Sequence, residues 1–291
     1  MRRISVVVNK NWEVEPALNA MSSKLRPANL SFPTWLNSPK DGKNQMNSPR
    51  AVYQLDGPTP LQVIIWCIQD LMNPLKSSSS SEEKFRVLPN VLASDVPDLV
   101  IAVGTACYPD KLVSRNGKVV IGSQFFLHNG HPDNPESNFN TADFDKLLPS
   151  NVSGGFFDLL TPDWRTRSVA NFLPVPNTPS TAEILADQKF VSVGTLNVTN
   201  YTEYPTADPA SLNAFNNLQS GFIAPSLETT HGIIRLSSNK PTIFISGIVN
   251  RMTMLNQEAS PAQDYIGAFN AGITIANLLQ VILQSTYTGT W

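Results

Sequence analysis

Cysteine is nearly absent from this chain: its 291 residues include two, Cys67 and Cys107, which excludes a disulfide-stapled scaffold and a cysteine-rich zinc module. Charge is also scarce. Asp, Glu, Lys and Arg make up only 15% of the residues, against ~25% in an ordinary soluble domain. The 21 basic and 23 acidic side chains nearly cancel, to a formal charge of -2. With no basic stripe, a nucleic-acid partner is not expected. The apolar run after Met1-Arg2-Arg3 stops at Val8, too short for a signal segment. Elsewhere the longest is Val63 to Ile68, far below the ~20 residues of a membrane span. A soluble, cytosolic protein is therefore expected, and the Asn-x-Ser/Thr sequons at Asn29, Asn151, Asn197 and Asn200 are read as chance. Phosphate-loop, G-x-G-x-x-G, G-x-S-x-G and H-E-x-x-H signatures are all missing, which moves the corresponding enzyme classes out of the front rank.

What the chain does have is apolar content, 41%, and proline, 23 residues against 15 glycines. That is enough to bury a large core and leaves no room for long disorder. Strands are expected at Ile4–Val8, Leu61–Ile68, Asp98–Val103, Lys118–Ile121, Phe190–Val193 and Thr242–Ser246. Helices are expected at Glu15–Leu25, from Ser80 to about Leu92 behind a Ser80-x-x-Glu83 capping box, at about Ser226–Ser237, and from Ser260 to about Leu283. The last is the best signalled, with Ser260 as N-cap, Pro261 at the first helical position and Ile266, Phe269, Ile273 and Ala276 at helical spacing. Asn116-Gly117 predicts a hairpin-like turn. Strands alternating with helices predict an α/β fold: one three-layer domain over 1–291, with a mixed, mostly parallel central sheet flanked by helices. Loop-rich excursions are expected at about 26–60 and 132–180, where many of the prolines fall.

Candidate functional residues gather at strand ends. Gly104-Thr105 follows a buried strand, where small residues let backbone N–H groups approach an anion or a water. Glu13 follows the first strand. Glu228 opens a helix, where the dipole favours an acid with or without a ligand. Asn250 follows the last strand, where open α/β sheets place ligands. His128-Asn-Gly-His131-Pro-Asp133 has the look of a metal cluster, but it is one or two ligands short, and no metal is expected.

Taken in order, these segments resemble the nucleoside phosphorylase/nucleosidase superfamily. The resemblance is carried by Pro97-Asp-Leu-Val-Ile-Ala-Val-Gly-Thr-Ala106, by Lys118-Val-Val-Ile-Gly-Ser-Gln-Phe-Phe-Leu-His-Asn129, by Ser226-Leu227-Glu228 where the family has Glu-Met-Glu, by Ile243 to Arg251 and by the closing helix. It covers about two thirds of the chain in segments. It implies cleavage of the N-glycosidic bond of a purine nucleoside, with Glu228 accepting the ribose hydroxyls, Leu227 packing under the sugar and Glu13 activating the attacking water. Gly104 and Thr105 would hold the nucleophile, and Leu196 and Asn197 would stand near the base. No organic cofactor is implied, only inorganic phosphate as co-substrate if the reaction is phosphorolytic. The expected partner is a small-molecule nucleoside, with assembly into a homo-oligomer, a dimer or trimer.

Two departures from the family pattern pull in opposite directions. Hydrolases of the family have an aspartate where this chain has Asn250, and an amide is not a practical general acid. Trimeric purine nucleoside phosphorylases have asparagine there, followed by a basic residue like Arg251, which implies a 6-oxopurine. Hexameric phosphorylases carry an arginine two residues before the loop glycine; here it is Ala102. Arg50, Arg86, Arg235 and Arg251 could bind phosphate if folding or a neighbouring subunit brings them in. Phosphorolysis and hydrolysis thus both stand, and the alternative is a catalytically impaired nucleoside- or nucleotide-binding module on the same fold.

Overall fold

A computed structural model of the chain describes residues 1–31, 48–73, 80–128, 143–176, 182–196, 198, 201–218, 221–285 and 291. The β-branched opening forms β1 (Arg2–Val8), which turns into α1 (Asn11–Ser22). This helix starts earlier than expected because the Glu13 carboxylate accepts the Lys10 N–H at 2.9 Å and caps it there. Pro16 consequently lies inside the helix. The anticipated excursion at 26–60 is partly sheet: β2 (Asn29–Leu30) and β3 (Ala51–Leu55) pair antiparallel and extend the edge of β4 (Leu61–Cys67). Short α2 (Ile68–Leu71) follows, then α3 (Ser81–Asp95), whose Ser80 cap accepts the Glu83 N–H at 3.2 Å.

β5 (Leu99–Tyr108) does not stop at Gly104 but continues through Thr105, because β12 pairs with it residue by residue from Val100 to Tyr108. Gly117 turns the chain with φ of 81° into β6 (Val119–Gly122), yet β6 pairs with β9 and β12, so no hairpin forms there. Next come β7 (Gln124–His128), β8 (Leu147–Leu148), the helices α4 (Gly154–Phe157) and α5 (Pro162–Val169), then β9 (Ile184–Ala186) and β10 (Phe190–Thr195). An unforeseen helix, α6 (Tyr204–Leu218), precedes β11 (Ile223–Glu228). The expected helix from Ser226 is therefore two elements, the end of β11 and the single-turn-plus α7 (His231–Leu236). β12 (Thr242–Arg251) and α8 (Leu255–Glu258) lead to α9 (Pro261–Gln284), where Ser260 Oγ accepts the Gln263 N–H at 3.2 Å, as its sequence predicts.

One mixed sheet runs in the order β2-β3-β4-β1-β5-β11-β10-β7-β8, with β12, β6 and β9 continuing from β5 on its other side. Period-two alternation sorts its side chains. Ile4, Val6, Val8, Leu99, Ile101, Val103, Ile243 and Ile245 face one layer, with residues of α1, α5 and α9. Val7, Val100, Ala102, Phe244 and Ile248 face the other, with α3 and α7. This is the expected three-layer arrangement. α9 is apolar and long enough to cross a membrane, but it packs against α1 and β12 as a core helix. Close packing depends on bare backbone: a Cβ on Gly272 would meet Ala17 Cα at 2.7 Å.

Candidate active site

The sheet is split along one edge of β5. β1 pairs with it as far as Val8 opposite Val103, and β11 begins at Leu227 opposite Cys107. Between them, Gly104 to Ala106 has no strand on that side among the described residues, and a cavity of about 390 Å³ opens there at the strand ends. Its lining includes Glu13, Gly104, Thr105, Leu227, Glu228 and Asn250. Six residues picked out along the chain thus converge in one place, as strand-end topology dictates.

Glu13 fills the gap in the ladder. From the first turn of α1 it reaches β5, where Oε1 accepts the Thr105 N–H at 2.7 Å and the Thr105 Oγ1–H at 2.9 Å, while Oε2 accepts the Lys10 N–H at 2.9 Å. It is 4% exposed. Burial pushes its carboxyl above the ordinary carboxylate range, and the Thr105 and Lys10 hydrogen bonds work against that rise. Thr105 was expected to hold the nucleophile; in this structure its N–H and its hydroxyl both donate to Glu13.

Glu228 ends β11 instead of opening a helix. Oε2 accepts the N–H groups of Thr230 and His231, the latter at 2.8 Å, which satisfies the start of α7. Oε1 accepts the Ser192 hydroxyl at 3.1 Å. Asn250 lies within β12, beside a register shift, and its Nδ2 donates to the Arg251 carbonyl at 3.0 Å. Leu227 is buried against the cavity. Leu196 is not part of the wall: it belongs to the apolar layer with Leu127 and Leu148. Asn197 lies outside the described residues. So do His131 and Asp133; His128 contacts Asp145 Oδ1 at 2.8 Å.

The arginines considered for phosphate are all engaged elsewhere. Arg50 forms a forked pair with Asp70 and donates to Asn11 Oδ1 at 2.6 Å. Arg86 pairs with Glu83, Arg235 donates to the carbonyls of Pro149 and Ser238, and Arg251 pairs with Glu258. None of the four lines the cavity.

Sequence reasoning missed several ionisable groups of the lining, Asp208, Asp264 and His231 among them. Asp208, on α6, is 5% exposed and accepts from Thr195 Oγ1 at 3.4 Å. Burial first, and then the Glu228 charge, raise its carboxyl to about 7, against the Thr195 and Cys107 hydrogen bonds. Asp264, in the first turn of α9, is raised by burial to about 6. His231 opens α7 at 1% exposure, and burial holds its imidazole below the ordinary range. A signal for α6 was present: Pro205 suits a first turn, and Ala207, Ser211 and Phe215 recur at helical spacing. Nothing local marked the other two.

No protein-family model matches the chain, and no curated protein sequence does. Solved structures do. An apo 5'-methylthioadenosine nucleosidase from Arabidopsis thaliana matches with a TM-score of 0.57 at 13% identity, over 97% of this chain and 96% of that one. A 5'-methylthioadenosine/S-adenosylhomocysteine nucleosidase from Colwellia psychrerythraea 34H, in complex with adenine, matches at 0.55 and 12%, over 97% and 96%. A mutant futalosine hydrolase of Helicobacter pylori strain 26695 matches at 0.54 and 11%, over 96% and 99%. The likeness runs end to end, and the architecture of this chain is the nucleoside phosphorylase/nucleosidase fold.

Proposed function

We propose that the protein cleaves the N-glycosidic bond of a purine nucleoside, with water as the nucleophile. The observation that carries this reading is the convergence of two buried carboxylates, Glu13 and Glu228, on one strand-end cavity that also holds Asn250. Departure of a purine leaves oxocarbenium character on the ribose, so the site needs a negative wall for the sugar, a base for the nucleophile and a proton for the leaving base. Glu228, fixed by two backbone N–H groups and Ser192, is the acceptor for the ribose hydroxyls. Glu13, its carboxyl raised by burial, is the base that takes the water proton.

Asn250 cannot supply the proton, but Asp208 can. Both residues line the cavity, as does Cys107, whose thiol feels both of them. A carboxyl raised to about 7 still carries its proton over much of the neutral range. The role filled in the family by an acid on the last strand is here divided between an amide that recognises the base and an acid from α6 that protonates it. The amide's paired donor and acceptor favour a 6-oxopurine. Hydrolysis is favoured over phosphorolysis because Arg50, Arg86, Arg235 and Arg251 are all held away from the cavity, and phosphate calls for a charged fork.

The deciding experiment is a chromatographic assay for base release from inosine, guanosine, adenosine and 5'-methylthioadenosine, with and without phosphate. Release from inosine and guanosine without phosphate is the expected result. Release that requires phosphate would reverse the choice of nucleophile, and release only from the adenosines would reverse the base preference. Thermal stabilisation by nucleosides with no product from any of them would leave a binding module, the reading to which the loss of the family aspartate at position 250 points.

A further inference from the structure

His231 carries a feature that the roles given to Glu13, Glu228, Asp208 and Asn250 do not use. Its Nε2 is buried and has no hydrogen-bond partner among the described residues, although its ring lines the cavity. Buried polar atoms are nearly always paired, so an orphan in a polar cavity wall marks a place where something else donates or accepts. The direction in which it points is also specific. A Cβ built on Gly104 would lie 3.4 Å from His231 Nε2 and 3.3 Å from Glu13 Oε1. The position over the bare Cα of Gly104 is therefore within reach of both an imidazole nitrogen and a carboxylate oxygen.

The other ring nitrogen fixes which face of the imidazole is presented. Ser192 Oγ lies 3.0 Å from His231 Nδ1 and 3.1 Å from Glu228 Oε1. The serine has one proton, and a carboxylate oxygen can only accept, so that proton goes to Glu228. Ser192 Oγ must then accept from Nδ1–H, which leaves Nε2 with a lone pair aimed at the space above Gly104. Phe244 stacks on the ring, with centroids 5.8 Å apart and planes at 24°, and holds that orientation. The charged groups around the imidazole are Glu228, 3.9 Å from Nδ1, Glu13 across Gly104, and Lys84, which donates to Thr230 Oγ1 at 3.1 Å.

We propose that His231 is a further catalytic residue: its Nε2 and Glu13 Oε1 together accept the two hydrogens of the attacking water over Gly104. Two acceptors suit a water, which donates twice, and repel a phosphate oxygen. The step balances simply. The water oxygen bonds C1' as the C1'–N pair leaves with the base; one water proton passes to Glu13, and the base takes a proton from Asp208. His231 orients the water and remains neutral, tied through Ser192 to the same Glu228 that binds the sugar. This rests on the hydrolytic reading given above.

The test uses the full-length protein and its base release from inosine without phosphate. His231→Ala is expected to lower kcat by about 100-fold or more, the scale of a positioned acid–base contact, with KM changed less than about threefold because the sugar and base contacts stay. Free imidazole is expected to restore part of the lost rate in His231→Ala and to leave Glu228→Gln unaffected, a readout that a purely structural role would not move. Should His231→Ala fold poorly, ¹⁵N NMR of the wild-type ring decides independently: a pyridine-type Nε2 is expected, and a protonated Nε2 in the neutral ring overturns the proposal. An active wild type alongside a folded His231→Ala with unchanged kcat overturns this inference alone. A wild type that releases no base from any nucleoside removes the hydrolytic reading, and this inference with it.

Discussion

Asp208 should trade stability for chemistry, and replacing it by asparagine should expose both sides of that trade. Its carboxyl sits near 7 in the folded protein and near 3.8 when the chain is unfolded. Below the lower value both states are protonated, and the group contributes nothing to the pH dependence. As pH rises through the interval the unfolded chain releases this proton first, so stability falls; above about 7 the loss is complete. Three units correspond to about 4 kcal/mol at 1.36 kcal/mol each. Most of that, about 2–3 kcal/mol, accrues between about pH 5 and about pH 8. Asparagine has no proton to lose. It keeps an oxygen for Thr195 Oγ1, so the hydrogen-bond penalty is at most about 1 kcal/mol and does not vary with pH. Urea unfolding of wild type and Asp208→Asn at the two pH values isolates this difference, because every other titrating group is common to both. The variant should gain about 2–3 kcal/mol relative to wild type on going to the higher pH, while nucleoside cleavage falls by 100-fold or about that. A stability difference that is flat with pH would refute the buried, protonated acid. Full activity in the stabilised variant would refute its role as proton donor.

Other expectations follow from single contacts. Glu228→Gln keeps the shape of the side chain but removes the negative wall facing the sugar; kcat should drop about 100-fold or more, with the fold unchanged by circular dichroism. Gly247→Ala would drive a Cβ into the backbone of Gly267, where β12 crosses α9, and should cost roughly 1–3 kcal/mol in urea midpoints. Asp95 accepts Ser5 Oγ–H and Trp66 Nε1–H, each at 2.6 Å, so Asp95→Ala leaves two buried donors unpaired. That should destabilise by about 2–4 kcal/mol, with a shift in Trp66 fluorescence, and a loss under about 1 kcal/mol would contradict the burial.

The parts of this fold that can be read along the chain are those whose cause is local. β1, β5 and β12 announce themselves because strands buried on both faces read as continuous β-branched runs, and α9 because cap, proline and period agree within a few residues. α6 was not expected: Pro205 suits its first turn but Pro209 falls inside it, and packing on β10 and β11 holds it together. β11 was misread because Ser226-Leu227-Glu228 carries no periodicity of its own; its pairing with β10 makes it a strand, and the helix begins only where Glu228 turns back to cap it.

The candidate site shows the same division more sharply. Gly104, Thr105, Leu227, Glu228, Glu13 and Asn250 could be named because a parallel sheet delivers strand ends to one side, whatever the details of the side chains. Several of the contacts made there come from partners 36 to 92 positions away: Glu13 with Thr105, and Ser192 shared between Glu228 and His231. Those partners are what tie Thr105 to an acid and set the contacts of the His231 ring, while burial raises the Asp208 carboxyl. Spacing cannot carry such information, since the same residues with one altered loop would meet different neighbours. It follows that an asparagine at position 250 does not by itself measure the proton-donating chemistry of the cavity. In the proposed reaction an acid brought by α6 to the same cavity would supply that proton from a different element, and only the folded chain brings the two together.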